Sequence, residues 1–508
     1  MDRQGVTLFL CRRPKRKCNE MQKLTLIYFL FLYFAMQAQE YTFVIVDVET
    51  LNPIPFANIQ FGSGQGTISN EEGVFRLNLE QLKSSEIQIT CLGYRPQTIA
   101  INTLLSGSEM ITMQPESIEL NEVQIGGAIP SVAEIIRIAK ANLAQNYGNT
   151  EIPYQLFYRE ASGMELHEIN FELDKDSEIN RTEKEQVNRQ LQELGADLKR
   201  ANYRTYFDIN GAVGIGKDTV LPYEISGVYQ LTDHKGGFDL EQLQNRAKTL
   251  ISKHLDGTTT YALKSGIFKL EDSLKTQSTV ETSEATDSLS VKALTQKMNT
   301  PIGIATWNKN SRFVSFLNPK LYNHKWENTT YFDGNYVYAI SFNPRSGKSN
   351  YSGMLFIDAN SFAILKVQYG YATGKSGKKV NFKFLLGIKF EEDLSSGTVI
   401  YRKNPLSDKY HPFIIQENAG SSFYLHRNLK FIANSKNPRR LKFDMLLDAN
   451  YRQSTSVWLQ PTKKTQKKVL EMVKFPIIKS DRFNPNFHRQ KQAMEPIEAM
   501  KQFGIPQN

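Results

Sequence analysis

Between residues 41 and 113, short runs of β-branched and aromatic residues alternate with turns rich in glycine, proline and asparagine. YTFVIVDVET, FANIQF, TIS, VFRLNL, EIQITCLGY, PQTIAI and MITMQ read as seven short strands. In VFRLNL, Phe75, Leu77 and Leu79 fall on one side and Arg76 and Asn78 on the other, a period of two that implies one buried face. Asn70 to Gly73 form the turn before it, with Asn70 able to bond its own downstream backbone and Gly73 able to take a positive φ. Pro53 and Pro55 lack a backbone donor and belong to a connection. The pattern predicts a seven-stranded antiparallel sandwich burying two inner faces.

Past residue 114 the periodicity changes. QPESIELNEVQIGG reads as an exit strand and linker over 115–130. A helix is predicted over 131–147: Ser131 caps it, Glu134 completes a capping box, and Ile135, Ile136, Ala139 and Leu143 form its apolar face. YQLFYREA and ELHEINFEL read as strands, and TEKEQVNRQLQELGADLKR as a charged helix with a stripe at Leu191, Leu194 and Leu198. Residues 270 to 300 turn toward Ser, Thr, Asp and Lys, which predicts a flexible segment. From about 325 onward long aromatic strands follow one another, with turns at Asp333-Gly334 and Asp358-Ala359-Asn360. The fold class expected is mainly β: the sandwich over 39–114, then a larger β-rich α+β region over 131–508, read as a broad curved sheet or half-barrel.

The amino-terminal stretch alters the charge balance. Lys23, the apolar run LTLIYFLFLYFAM and small residues at Ala35 and Ala38 have the layout of a secretory signal cleaved after Ala38, with Met21 as its natural start and the preceding twenty residues as an extension. Seven basic and two acidic residues lie in that segment, so the formal charge of +10 falls to about +5 for the remainder. Export and modest charge argue against nucleic acid as a partner; KNPRRLK (436–442) and KKTQKK (463–468) read as solvated surface. Cys91 alone remains beyond the leader, which leaves no internal disulfide and no cysteine metal cluster.

The motif I-x-D-x-E-T-x-x-P-I-P-F-A-N-I from Ile45, followed by G-x-x-S-N-x-E-G-x-F from Gly66 and I-x-x-x-x-L-G-Y from Ile87, resembles the carboxypeptidase-like regulatory domain, a transthyretin-like β-sandwich abundant in exported proteins of Bacteroidota. That resemblance covers about 80 residues and implies an accessory domain without catalytic residues, beside a larger envelope partner. A weaker likeness, carried by the strand ending in Asn343-Pro344, by SGMLFID and by ILKVQY, is to envelope proteins with a lipoprotein-carrier-like half-barrel. It implies a concave apolar face for acyl chains, with Phe356, Phe362, Leu365, Phe382, Phe384 and Phe390 as candidate ligand-binding positions.

Candidate chemistry is sparse. The glycines at 62–66 lead into TISN and a strand, whereas a phosphate loop opens onto a helix. NEEG lacks the oxygen-rich spacing of a calcium loop. His324 and Glu327 stand at H-x-x-E, with His411 or His426 as a conceivable third ligand, and define the alternative of a zinc-dependent carboxypeptidase-like hydrolase. The preferred expectation is a non-enzymatic envelope protein without cofactor, in the periplasm or at the outer membrane, binding a hydrophobic or lipid ligand or an envelope protein.

Overall fold

The computed structural model describes residues 40–505 apart from 63–64, 80–81, 83, 117–129, 149–151, 201–202, 217–218, 233–259, 266–267, 276–287, 309–310, 333–334, 464–473 and 486–493. The leader, most of the linker and the turn at 333–334 therefore lie outside the described residues.

Seven strands build the first unit: β1 Glu40–Asp47, β2 Asn58–Gly62, β3 Gln65–Ile68, β4 Val74–Asn78, β5 Glu86–Thr90, β6 Gln97–Ala100 and β7 Met110–Met113. They form two sheets, β4-β1-β7 and β3-β2-β5-β6. The alternation read from VFRLNL places Phe75 and Leu77 in the core, with Phe75 stacked on its cross-strand partner Phe43 at 5.5 Å between ring centroids. One expectation is corrected, because β7 pairs β1 in parallel and the sandwich is not wholly antiparallel. The helix Ile101–Ser106 carries the chain from β6 to the opposite sheet, so β7 arrives running the same way as β1.

The larger unit comprises β8 Pro153–Asp176, β9 Thr205–Ile215, β10 Val220–Thr232, β11 Thr260–Ser265, β12 Phe268–Lys275, β13 Ser288–Ser290, β14 Tyr322–Phe332, β15 Asn335–Pro344, β16 Tyr351–Asp358, β17 Ile364–Tyr371, β18 Lys379–Phe382, β19 Ile388–Lys403, β20 Tyr410–Ala433, β21 Arg440–Pro461, β22 Lys474–Pro476 and β23 Ile478–Ser480. Its main sheet runs β14-β15-β16-β17-β19-β20-β21-β8-β9-β10-β23, with β11, β12 and β18 attached beside it. Among the described residues the end strands β14 and β23 do not pair with each other, so no closed barrel is formed by them. Residues from β10 near one end and β15 near the other join a single core with the helices Val132–Ala141, Val291–Ala305 and Arg312–Phe316. The sheet thus curls around these helices.

The helix expected over 131–147 is two pieces, Val132–Ala141 and Leu143–Asn146. Ser131 accepts from the Glu134 amide at 3.3 Å, but the Glu134 carboxylate turns to Arg137 instead of closing the capping box. A larger correction concerns 270–300. The fifteen-residue helix Val291–Ala305, capped by Ser290, occupies part of the segment expected to be flexible and buries Leu294, Met298, Ile302 and Ala305 at the centre of the core. Their spacing of four, four and three is a helical stripe, obscured in sequence by the polar positions between them and by Pro301.

Candidate functional site

Strand β8 shows how the two units meet. Leu156 and Tyr158 point into the helix-filled core, while Phe157 and Arg159 point to the other face of the sheet. There Phe157, Phe413 and Ile414 pack against Phe56 and Ile68 of the sandwich and Met494 of the carboxy-terminal segment. Arg159 and Asp208 are each 2% exposed and form a two-pronged ion pair, both contacts at 2.9 Å; the same guanidinium donates to the Glu495 carbonyl at 3.2 Å.

The turn Asn70–Gly73 inserts beside that pair. Asn70 Oδ1 accepts from the Glu72 and Val74 amides at 2.9 Å, as a self-bonding turn residue does, and its Nδ2 reaches the Glu495 carbonyl at 3.2 Å. Glu71 accepts from the Ser456 hydroxyl of β21, and Glu72 accepts from the Glu498 amide at 2.8 Å. Burial pushes the Glu71 carboxyl above its ordinary range. The turn read as purely local in sequence is therefore also the contact that seats the sandwich on the sheet.

Beside the seat lies a cleft of about 700 Å³ between the two units. Asn58, Gln60, Gln88 and Thr90 line it from the sandwich, and Asn335, Asn360, Tyr401, Arg402 and Tyr410 are among the residues facing them from the sheet. Arg402 donates to Asn58 Oδ1 at 3.0 Å and stacks 3.9 Å above the Phe413 ring, which fixes the cleft wall across both units. Asp358 is 2% exposed; its Oδ1 accepts from the Asn360 and Ser361 amides and the Ser361 hydroxyl, whereas Oδ2 is buried with no hydrogen-bond partner among the described residues. These groups suit hydrogen bonding to a polar chain bearing amide groups. Nothing in the sequence brings Asn58, Asp358 and Arg402 together, because strand order alone makes them neighbours.

The sequence-derived candidates are dispersed. Phe356 and Leu365 join Leu92 of the sandwich in a small apolar cluster, Phe362 packs on the main core, and Phe390 is half-buried opposite Phe423. Phe382 and Phe384 are exposed, the latter fully. Among the described residues these six positions thus fall in separate places, two against the sandwich, one on the main core and three at the β18–β19 edge, while the inner face between β10 and β15 is covered by Val291–Ala305 and its neighbouring helices. The hydrolase alternative is corrected as well. The His324 Nε2–H donates to the Phe316 carbonyl at 2.7 Å, and burial lowers the ring's basicity. Glu327 is bound instead to Lys325 and Ser341, which share the opposite face of the strand pair, so the two cannot converge on one ion. Among the described residues no group of three or more His, Cys, Asp or Glu side chains is placed to hold a metal.

Residues 44–125 match the family model of the CarboxypepD_reg-like domain, in agreement with the motif resemblance of the sandwich. No curated protein matches the chain. Solved structures similar to it include a LolA superfamily protein from Nitrosomonas europaea, at 7% identity over 62% of this chain and 92% of that one with a TM-score of 0.16. MucB in complex with MucA(peri) is similar at 8% identity over 62% of this chain and 94% of that chain, with a TM-score of 0.15. The MucA/MucB complex of Pseudomonas aeruginosa follows at 9% identity, 68% and 98% coverage and a TM-score of 0.15. At such TM-scores these likenesses carry no argument about what the chain does.

Proposed function

We propose that the chain is a non-enzymatic binding protein of the cell envelope, exported to the periplasm or the periplasmic side of the outer membrane, and that a protein partner enters the cleft between the sandwich and the curled sheet. The cleft carries this reading: amide groups line it from both units, Asn58, Gln60 and Gln88 facing Asn335 and Asn360. An extended peptide offers the matching donors and acceptors along its backbone. The leader pattern at Lys23–Ala38 and the regulatory-domain match at 44–125 support the envelope setting.

A photo-crosslinking residue placed at Asn360 or Gln88 tests the proposal in envelope-expressing cells, with Glu185 on the charged helix as control. The expected result is a discrete protein adduct from the cleft positions and none from the control. Equal labelling from all three positions would refute a cleft-bound partner.

A further inference from the structure

The long strands carry a second surface, remote from the cleft and independent of it. Where β18 joins β19, β20, β21 and β8, paired residues share a face: Phe382, Ile388, Leu425, Leu447 and Ile169 form one apolar row. Val380, Phe390 and Phe423 begin a second row beside it. The helix Arg181–Arg200 covers the β8 end, where Ile169 packs in the cluster of Val187, Leu191 and Leu198. Toward the β18 edge the face emerges: Val380 is 40% exposed, Phe382 52%, and Phe384 in the following turn is fully exposed.

The chain around this edge is rich in lysine. Residues 374–389 hold five lysines and no acidic residue. Lys379 and Lys389 bind Glu391, and Lys383 lies 3.9 Å over the Tyr424 ring. Lys375 and Lys378 add positive charge at the same end. Gly387, at a φ of 62°, closes the turn, and its carbonyl accepts from the His426 amide at 2.8 Å, so the aromatic tip is presented by a pinned backbone. The basic run at 436–442 is likewise neutralised in part, Arg439 pairing with Asp176 and Lys442 with Asp174, but that run has no exposed phenylalanine like Phe382 and Phe384.

Phenylalanines exposed on one face of a sheet edge, with Lys379, Lys383 and Lys389 on its reverse and Lys375 and Lys378 in the preceding turn, match the boundary between anionic headgroups and acyl chains, where aromatic side chains enter and ammonium groups remain at the headgroup level. We infer that the tip formed by β18 and the turn Lys383–Leu386 is an anchor for an anionic lipid surface, with Phe382 and Phe384 as its inserting residues.

The test compares the full chain with F382S/F384S and K378Q/K383Q on phosphatidylcholine vesicles with and without phosphatidylglycerol. Because the replaced side chains stand in solvent, the variants keep the native fold, checked by an unchanged melting profile. F382S/F384S is expected to weaken binding to the anionic vesicles by more than about tenfold, and K378Q/K383Q to weaken it only where phosphatidylglycerol is present. In F384W, the indole reports this tip whatever other segment touches the vesicle; a blue shift and quenching by brominated lipid are expected. No quenching of F384W, or equal binding by F382S/F384S, overturns the anchor. A lipid-independent dimer that dissociates in F382S/F384S, without quenching in F384W, would assign the face to a second copy of the chain instead.

Discussion

Replacing Arg159 by methionine tests the buried charge pair that joins β8 to β9 beneath the seating turn of the sandwich. Wild type places two opposite charges at 2% exposure with two contacts of 2.9 Å, and the guanidinium also satisfies the Glu495 carbonyl. Arg159→Met keeps much of the aliphatic volume beside Phe157 but leaves the Asp208 carboxylate buried without its cation. Removing one partner of a buried ion pair costs about 3–5 kcal/mol, because the desolvation penalty remains after that attraction is lost. Removing both charges in R159M/D208L takes that penalty away, so the double variant is expected to recover at least about 2 kcal/mol relative to the single one. Urea unfolding followed by tryptophan fluorescence reads the difference; Trp458 packs beside the interface core, whereas Trp307 and Trp326 pack against the main one. If Arg159→Met lies within about 1 kcal/mol of wild type, or if the two single losses simply add in the double variant, the two buried charges do not stabilise each other.

His411 makes stability depend on pH. Burial, reinforced by the nearby Arg402 charge, pulls its pKa down to about 4, and neither ring nitrogen makes a well-formed hydrogen bond although the Leu459 and Arg402 backbone lies close. The unfolded ring binds a proton near pH 6.5, so the contribution of the neutral ring is present above that pH and is lost as pH falls toward about 4, up to ~3 kcal/mol. Melting curves of His411→Phe between pH 7.5 and 4.5 should show a flatter pH dependence than wild type, and an unchanged slope would remove His411 from the account. Gly73 tests the seating turn: its φ is 72° and an added methyl carbon would lie 2.5 Å from the Ile45 carbonyl oxygen. Gly73→Ala is expected to cost about 1–3 kcal/mol in urea unfolding. Gly347→Ala, where nothing lies within 4 Å of the added carbon, serves as the neutral control, and equal effects at both sites would contradict the strain argument.

What could be read in the sequence was local periodicity, and what escaped it was the identity of the covering partner. The alternation of Phe75, Arg76, Leu77 and Asn78 correctly gave the buried side of β4, and Ser131 correctly marked a helix start. Val291–Ala305 escaped because its apolar residues are diluted by Lys, Thr, Gln and Asn, although Leu294, Met298 and Ile302 repeat at the helical interval. The cleft escaped for a different reason: Asn58 and Arg402 touch across 344 positions of chain, and no local pattern encodes a contact of that range. KVNFKFLLGIKF lies between these cases. Its alternation shows that Val380, Phe382, Ile388 and Phe390 share a face, as the β18–β19 register has them. Period two says only that such a face needs a cover, and it is silent on whether helix, ligand or lipid supplies it. The inner face of the sheet took its cover from the helices, so an apolar ligand is not needed there; at the β18 edge the same pattern continues past the last covering helix, and the unmet requirement moves to the outside of the molecule.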